Sequence, residues 1–240
     1  MQKRIIRKLD LELLLSRVES HPAPKPNIEQ YTVPADVAAR ILYIAAYSDN
    51  NILGKSVLDL GCGTGRLALG AAFLGANEVL GVDVDKTAVS IAVENSKRIG
   101  LKEKMNWLVA DVSAVGGDFD LVLQNPPYGV QRAGADRKFL EKALEVGKTV
   151  YSLHKNQRAS RALYGMVKSC PEGMIAVSPS PFLKEFIERR GARIKAVYAM
   201  IMSIPHMFNF HTKKKHEFLV DLYVVESRPL GPGKHDSAIP

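Results

Sequence analysis

Hydrophobic positions along this chain follow two periods in turn. Ile5, Ile6, Leu9, Leu13, Leu14 and Val18 recur at helical spacing and predict a helix across 3–19. His21-Pro22-Ala23-Pro24-Lys25-Pro26 ends it. A helical pattern resumes near Ala35 and runs to Tyr47. Short apolar runs then alternate with helical ones. Strands are expected at 56–60, 78–84, 105–110, 119–124 and 149–153, and helices at 67–74, 87–99 and 139–146. Gly75 and Gly100 stand where a helix end needs a left-handed residue. Two longer strand-like runs, 194–204 and 218–225, are joined by 205–217, which has no helical period, and read as a long hairpin.

Strands alternating with helices imply crossover connections and a parallel sheet covered on both faces. The hairpin adds an antiparallel final strand. The expected fold is α/β: a Rossmann-like seven-stranded sheet, mostly parallel, with helices on both faces. Residues 1–26 are expected to form an N-terminal helix and Pro-rich linker, 27–227 the main domain, and 228–240, with Gly231-Pro232-Gly233, a flexible tail.

Composition excludes several classes. With 46% hydrophobic and 24% charged residues, the 240-residue chain reads as a soluble globular protein able to bury a core unaided. Its two cysteines, Cys62 and Cys170, form no CxxC pair, so neither a zinc cluster nor a disulfide framework is expected. No apolar run approaches the roughly 18 residues of a membrane span. The charged start does not resemble a secretory signal, so a cytoplasmic protein is expected. Lys and Arg outnumber Asp and Glu by 33 to 25. Basic residues crowd at Lys3, Arg4, Arg7 and Lys8, and again at Lys213, Lys214 and Lys215. Such runs are often solvated faces, but two of them flanking one domain lean toward a polyanion such as nucleic acid.

The chemistry-bearing residues fall at strand ends. Asp59-Leu60-Gly61-Cys62-Gly63-Thr64-Gly65 follows the 56–60 strand and opens a helix. Glycines there let a ligand approach the backbone closely. A dinucleotide fingerprint would need G-x-G-x-x-G, but Arg66 breaks that spacing. Asp59 would repel phosphate and attract a cation, which fits S-adenosylmethionine, a sulfonium without phosphate. Asp83, at the end of the second strand, is placed to accept from ribose hydroxyls. Asp111 could accept from an adenine amine, with Val112 offering its backbone N–H. Each acid alone would pass as a loop or cap residue; together, at three successive strand ends, they favour a bound nucleoside.

Asn125-Pro126-Pro127-Tyr128 follows the fourth strand at the same edge. An exocyclic amine on a purine needs acceptors that hold its N–H bonds more than it needs a strong base. The Asn125 side-chain oxygen and the Pro126 carbonyl can serve, stiffened by the two prolines. Tyr128 offers a face on which an extruded base can stack. A bare Pro-rich turn is the bland reading, and the motif gains weight from lying downstream of the glycine turn and Asp83. His154, His206, His211 and His216 have no standard zinc spacing and read as structural or RNA-facing. Trp107 reads as core.

The two motifs together resemble class I methyltransferases acting on planar amines. Further segments narrow this: Glu29-Gln30-Tyr31, Gly81-Val82-Asp83-Val84-Asp85, Val150-Tyr151-Ser152-Leu153-His154-Lys155, Phe210-His211 with the three lysines, and Val220-Asp221-Leu222. Across about 27–226 the chain resembles the methyltransferase-like protein 5 family, archaeal type. The resemblance implies methylation of the N6 of an adenosine in small-subunit ribosomal RNA. It implies that Gln30 and the backbone near Val33 close over the methionine part of S-adenosylmethionine. Asp59, Gly61, Gly63, Thr64, Asp83, Val84, Asp111 and Val112 would hold the rest. Asn125, Pro126, Pro127 and Tyr128 would hold the adenine, and Lys213, Lys214 and Lys215 would reach RNA phosphates. A small zinc-binding activator protein pairs with the sheet edge in such families. Tyr128 stands where members can carry Phe, and 157–180 is longer than the family pattern.

Other readings keep the chemistry and change the substrate: guanine N2, DNA adenine or a protein glutamine amide. The basic runs favour nucleic acid. A non-catalytic module that binds nucleoside and RNA is opposed by the intact Asn125 and Tyr128, and a nicotinamide oxidoreductase by Arg66 and Asp59.

Overall fold

The computed structural model describes residues 5–25, 29–30, 32–129, 134–205 and 215–227. Lys213, Lys214, His206, His211, Tyr31 and the 228–240 tail lie outside them, and Lys215 is described only as backbone. The helices are α1 (Lys8–Ser16), α2 (Ala35–Tyr43), α3 (Arg66–Phe73), α4 (Lys86–Arg98), α5 (Ala135–Val146), α6 (Arg161–Ser169) and α7 (Pro181–Glu188). The strands are β1 (Ser56–Leu60), β2 (Glu78–Asp83), β3 (Met105–Val109), β4 (Phe119–Gln124), β5 (Gly147–Lys155), β6 (Met174–Ala176), β7 (Arg193–Pro205) and β8 (Lys215–Glu226).

They form one eight-stranded sheet in the order β3-β2-β1-β4-β5-β8-β7-β6. β1 to β5 run parallel. β8, β7 and β6 add antiparallel pairs. The expected count of seven is corrected to eight. The extra strand, β6, has three residues, too few for a period-two pattern to register. The long 157–180 stretch is thereby explained: it carries α6 and β6. α6 was equally hard to foresee, because only Val167 on it is fully buried. α7 was missed despite a readable start, with Ser180 accepting the Leu183 N–H and Pro181 in the first turn.

Alternation along the strands sends side chains to two cores. Val57, Leu121, Leu123, Tyr151 and Leu153 join the core under α1, α2 and α3. Leu58, Leu60, Val122 and Val150 join the core under α5 and α7. α1 is shorter than expected, and of the positions that mark it Val18 is buried and Ile6 and Leu14 pack against the core. Leu11 and Leu15 are fully buried, whereas Leu9, Leu13 and Ile5 are exposed. Leucine on nearly every side of Lys8–Ser16 left spacing unable to choose the face.

Strand order reverses between β1 and β4, which opens a crevice at their carboxyl ends. Leu60 pairs with Gln124. The residues that follow, Gly61 and Asn125, therefore leave the sheet side by side, about 5 Å apart by strand spacing.

Candidate active site

A pocket fills this crevice. Its wall contains Gln30, Val33, Asp59, Gly61, Gly63, Thr64, Asp83, Val84, Asp111, Val112, Asn125 and Pro127. Every residue expected to touch the cofactor is thus brought together, with two of the four in the reactive motif. Pro126 and Tyr128 do not line it.

The glycine turn depends on close approach. Gly65 has φ +88°. A Cβ on it would lie 2.5 Å from the Trp107 ring, and one on Gly81 would lie 2.3 Å from the same ring. Trp107 is half-buried and packs against the core, and its indole fills the space those two glycines leave. Gly61 likewise makes room for the Phe139 ring, which a Cβ would meet at 2.8 Å.

Asp59 is 1% exposed, and its Oδ2 accepts the Ala68 N–H at 2.9 Å. Burial pushes its carboxyl up to about 7, against the Ala68 bond, which lowers it. A cation in the pocket would favour its ionised form. Burial also raises Asp83, while the Asp85 and Gly63 amides offset part of that rise. Those amides occupy one lone pair on each Asp83 oxygen, at 2.8 Å both, and leave capacity for two hydroxyl donors. Asp111 differs. It caps the turn at Ser113 and pairs with Lys138 at 2.7 Å, and these bonds hold its carboxyl well below the usual range. The acid expected to face an adenine amine is largely committed to its own surroundings.

Other expected contacts also have partners. Gln30 Nε2 donates to Asp85 Oδ2 at 2.8 Å, and its Oε1 accepts the Lys25 N–H at 2.7 Å. The Val33 carbonyl accepts from Arg66 at 2.7 Å, and the other Arg66 amine reaches the Val18 carbonyl at 2.9 Å. Arg66, noticed in the sequence only because it breaks a fingerprint, ties the N-terminal segment to the glycine turn. Thr64 Oγ1 is the complement: buried, on the pocket wall, and without a hydrogen-bond partner among the described residues. A buried hydroxyl left so is costly, and a ligand carboxylate would satisfy it. The arrangement fits S-adenosylmethionine.

At the far wall the Asn125 Oδ1 accepts the Tyr128 hydroxyl at 2.9 Å. The Tyr128 ring is half-buried and meets Phe218 edge-on at 5.8 Å. Its N–H donates to Glu29 Oε2 at 2.6 Å. His154 sits in the core, bonded to Ser152, and burial lowers it to about 4. Spacing gave no sign of Glu29, His21, Lys138 or Phe139, all of which line the pocket. They come from loops and from α5, and only the fold brings them there.

Comparison with known proteins divides along the same line. Residues 41–126 match the family model described as ribosomal protein L11 methyltransferase. That stretch holds the glycine turn and the three acids and stops inside the reactive motif. Longer matches cover nearly everything. An uncharacterised protein of Methanocaldococcus jannaschii is 34% identical over 92% of this chain and 95% of its own. The Drosophila melanogaster rRNA N(6)-adenosine-methyltransferase Mettl5 is 31% identical over 90% of this chain and 94% of its own. A crystal structure from Pyrococcus horikoshii, whose name proposes an RNA methyltransferase, is 36% identical with a TM-score of 0.76 and covers 93% of this chain and 99% of that one.

Proposed function

The chain belongs to the family of the Mettl5 rRNA N(6)-adenosine-methyltransferases, and from that premise we propose that it transfers a methyl group from S-adenosylmethionine to the N6 of an adenosine in RNA, in the small ribosomal subunit. The observation that carries this is the Asn125 side-chain oxygen, an acceptor on the wall of a crevice whose other side is the glycine turn.

Bound S-adenosylmethionine supplies an electrophilic methyl on a sulfonium. Asp83 would accept from its ribose hydroxyls, the Val112 N–H would donate to its adenine, and Thr64 would donate to its carboxylate. Asp59 would face its positive charge. Asn125 and Pro126 would take the two N–H bonds of the substrate amine, and Tyr128 would stack the base. Positioning and electrostatics would dominate such a step: the N–C bond would form as the methyl–sulfur bond breaks, S-adenosylhomocysteine would be the leaving group, and the amine would give up one proton.

RNA is favoured over a protein amide by basic surface at the same edge. Lys155 at the end of β5, Arg158 on the loop after it, and Arg161 and Lys168 on α6 are exposed. No acid occurs between Lys155 and Pro171 in the sequence. Lys213 and Lys214 fall in the sequence between β7 and β8, outside the described residues, and Lys215 opens β8. A small zinc-binding activator would pair with β3, the outer strand, where Leu108, Val109 and the neighbouring Val84 are exposed. Among the described residues no helix is long and apolar enough to cross a membrane, and we place the reaction in the cytoplasm.

The test is incubation with methyl-labelled S-adenosylmethionine and small-subunit RNA, DNA or ribosomal protein, followed by nucleoside digestion. The expected label is N6-methyladenosine from RNA. Label on protein alone, or on guanosine, would overturn the reading.

A further inference from the structure

Between Asn125 and Gly129 the only backbone N–H belongs to Tyr128, because Pro126 and Pro127 have none. After Asn125, the loop that must aim the Asn125 oxygen and the Pro126 carbonyl therefore offers the Tyr128 N–H as its backbone donor before Gly129. That donor goes to Glu29, 99 residues away, at 2.6 Å. The distance is shorter than an ordinary N–H···O bond. Glu29 is 7% exposed and lines the pocket. Its backbone has φ 51°, a conformation that non-glycine residues adopt rarely and only when surroundings hold them there.

Gln30 reaches in the other direction. Its amide holds Asp85, which caps α4. The Asp85 N–H in turn holds the Asp83 carboxylate. Two consecutive residues thus connect the loop after β4, which carries the amine acceptors, with Asp85 in the loop after β2, which holds the ribose acid at the end of that strand.

Resting on the reading above, we propose that Glu29 is a positioning residue for methyl transfer: its carboxyl group fixes the Tyr128 amide and so sets the aim of the Asn125 and Pro126 acceptors. The cofactor's ribose loop and the acceptor loop are thereby held by one segment, and the two halves of the site are assembled together. Glu29 does not itself touch the reacting atoms.

Four proteins test this: the wild type, Glu29→Ala, Glu29→Asp and Glu29→Gln. Glu29→Asp keeps the carboxyl group but withdraws it by one methylene. Glu29→Gln keeps an acceptor oxygen at the same reach and removes the charge. The expected kcat falls about tenfold to 100-fold in the Ala and Asp proteins, as for a small misplacement of reacting groups. KM for the cofactor and the Kd of S-adenosylhomocysteine should stay within about threefold. Glu29→Gln should recover most of the rate. The Tyr128 amide proton, read by NMR without substrate, should be shifted downfield in the wild type and Gln proteins and return upfield in the other two. Equal damage from Gln and Ala would overturn the proposal in favour of a charge effect. Loss of cofactor affinity matching the loss of rate would overturn it in favour of a cofactor contact. A Tyr128 amide that ignores all three changes would remove its basis. Because that last measurement needs no RNA, a protein that methylates no RNA would count against the substrate reading and not against the Glu29 bond.

Discussion

The two ends of the pocket are held by different kinds of bond. At the glycine end the acids are fixed by backbone amides near them in the chain: Asp59 by Ala68 nine residues on, Asp83 by Asp85 two residues on and Gly63 twenty back. At the amine end the loop is fixed by distant partners. Tyr128 is met by Glu29 from 99 residues away and by the Met202 sulfur from 74 residues away. The first kind of site survives wherever the strand-turn-helix unit survives. The second is assembled by the whole fold, so it can be tuned or lost without disturbing cofactor binding. The family matches separate in the same way: the ribosomal protein L11 methyltransferase model stops at Pro126, while the Mettl5 relative is matched over 90% of the chain.

The largest expected effect comes from cutting the amine end alone. Asn125→Ala should lower kcat by about 100- to 1000-fold, comparable to removing one preorganised polar group from a transition state. Affinity for S-adenosylhomocysteine, measured by calorimetry, should change by less than about threefold. A variant that lost binding and rate in equal measure would mean that the two ends are not separable.

The glycine end should respond to pH instead. The folded Asp59 carboxyl stands at about 7, above the ordinary 3.8. Between those values the folded state holds a proton that the unfolded state has released. This group's contribution to stability therefore falls as pH rises through that window. The shift corresponds to roughly 4 kcal/mol at full burial. Asp59→Asn keeps an oxygen for the Ala68 amide and removes the charge. Above pH 7 the empty variant should melt higher than the wild type, by about 2–4 °C for each kcal/mol recovered. A cationic cofactor should reverse the preference: wild-type affinity should rise from pH 6 to 7.5, and the variant should bind more weakly and without that rise. Affinity that is flat in both would mean that no cation faces Asp59.

Legibility follows the same division. The strands of the parallel half, the glycine turn and the acids at the strand ends could be read because each is written in a few adjacent residues. The face of α1 could not, since leucine occupies most of its sides, nor could β6, whose three residues carry no period. Among the site residues, Asp111 shows the limit of reading by position. It lies where an adenine-binding acid would lie, yet Lys138, 27 residues away at the start of α5, takes both of its oxygens. Arg66 shows the converse: a residue noted for breaking one motif proves to clamp the carbonyls of Val18 and Val33. Partners that arrive from another element leave no trace in local spacing.

The smallest effect separates two roles of one side chain. Tyr128→Phe removes the hydroxyl that donates to Asn125 and keeps the ring against Phe218. Two consequences oppose each other. The Asn125 amide loses a bond that orients it, and its oxygen no longer shares a lone pair with the hydroxyl when the substrate amine arrives. A single hydrogen bond contributes about 1 kcal/mol net, so kcat should fall by no more than about fivefold, with KM for RNA unchanged or lower. Tyr128→Ala removes the ring as well and should cost about 1–3 kcal/mol in base stacking, read as a raised KM for RNA together with a lower kcat. If Tyr128→Phe were instead as damaging as Asn125→Ala, the hydroxyl rather than the pair of carbonyl oxygens would be the group that meets the amine. The acceptor clamp would then have to be redrawn around Tyr128.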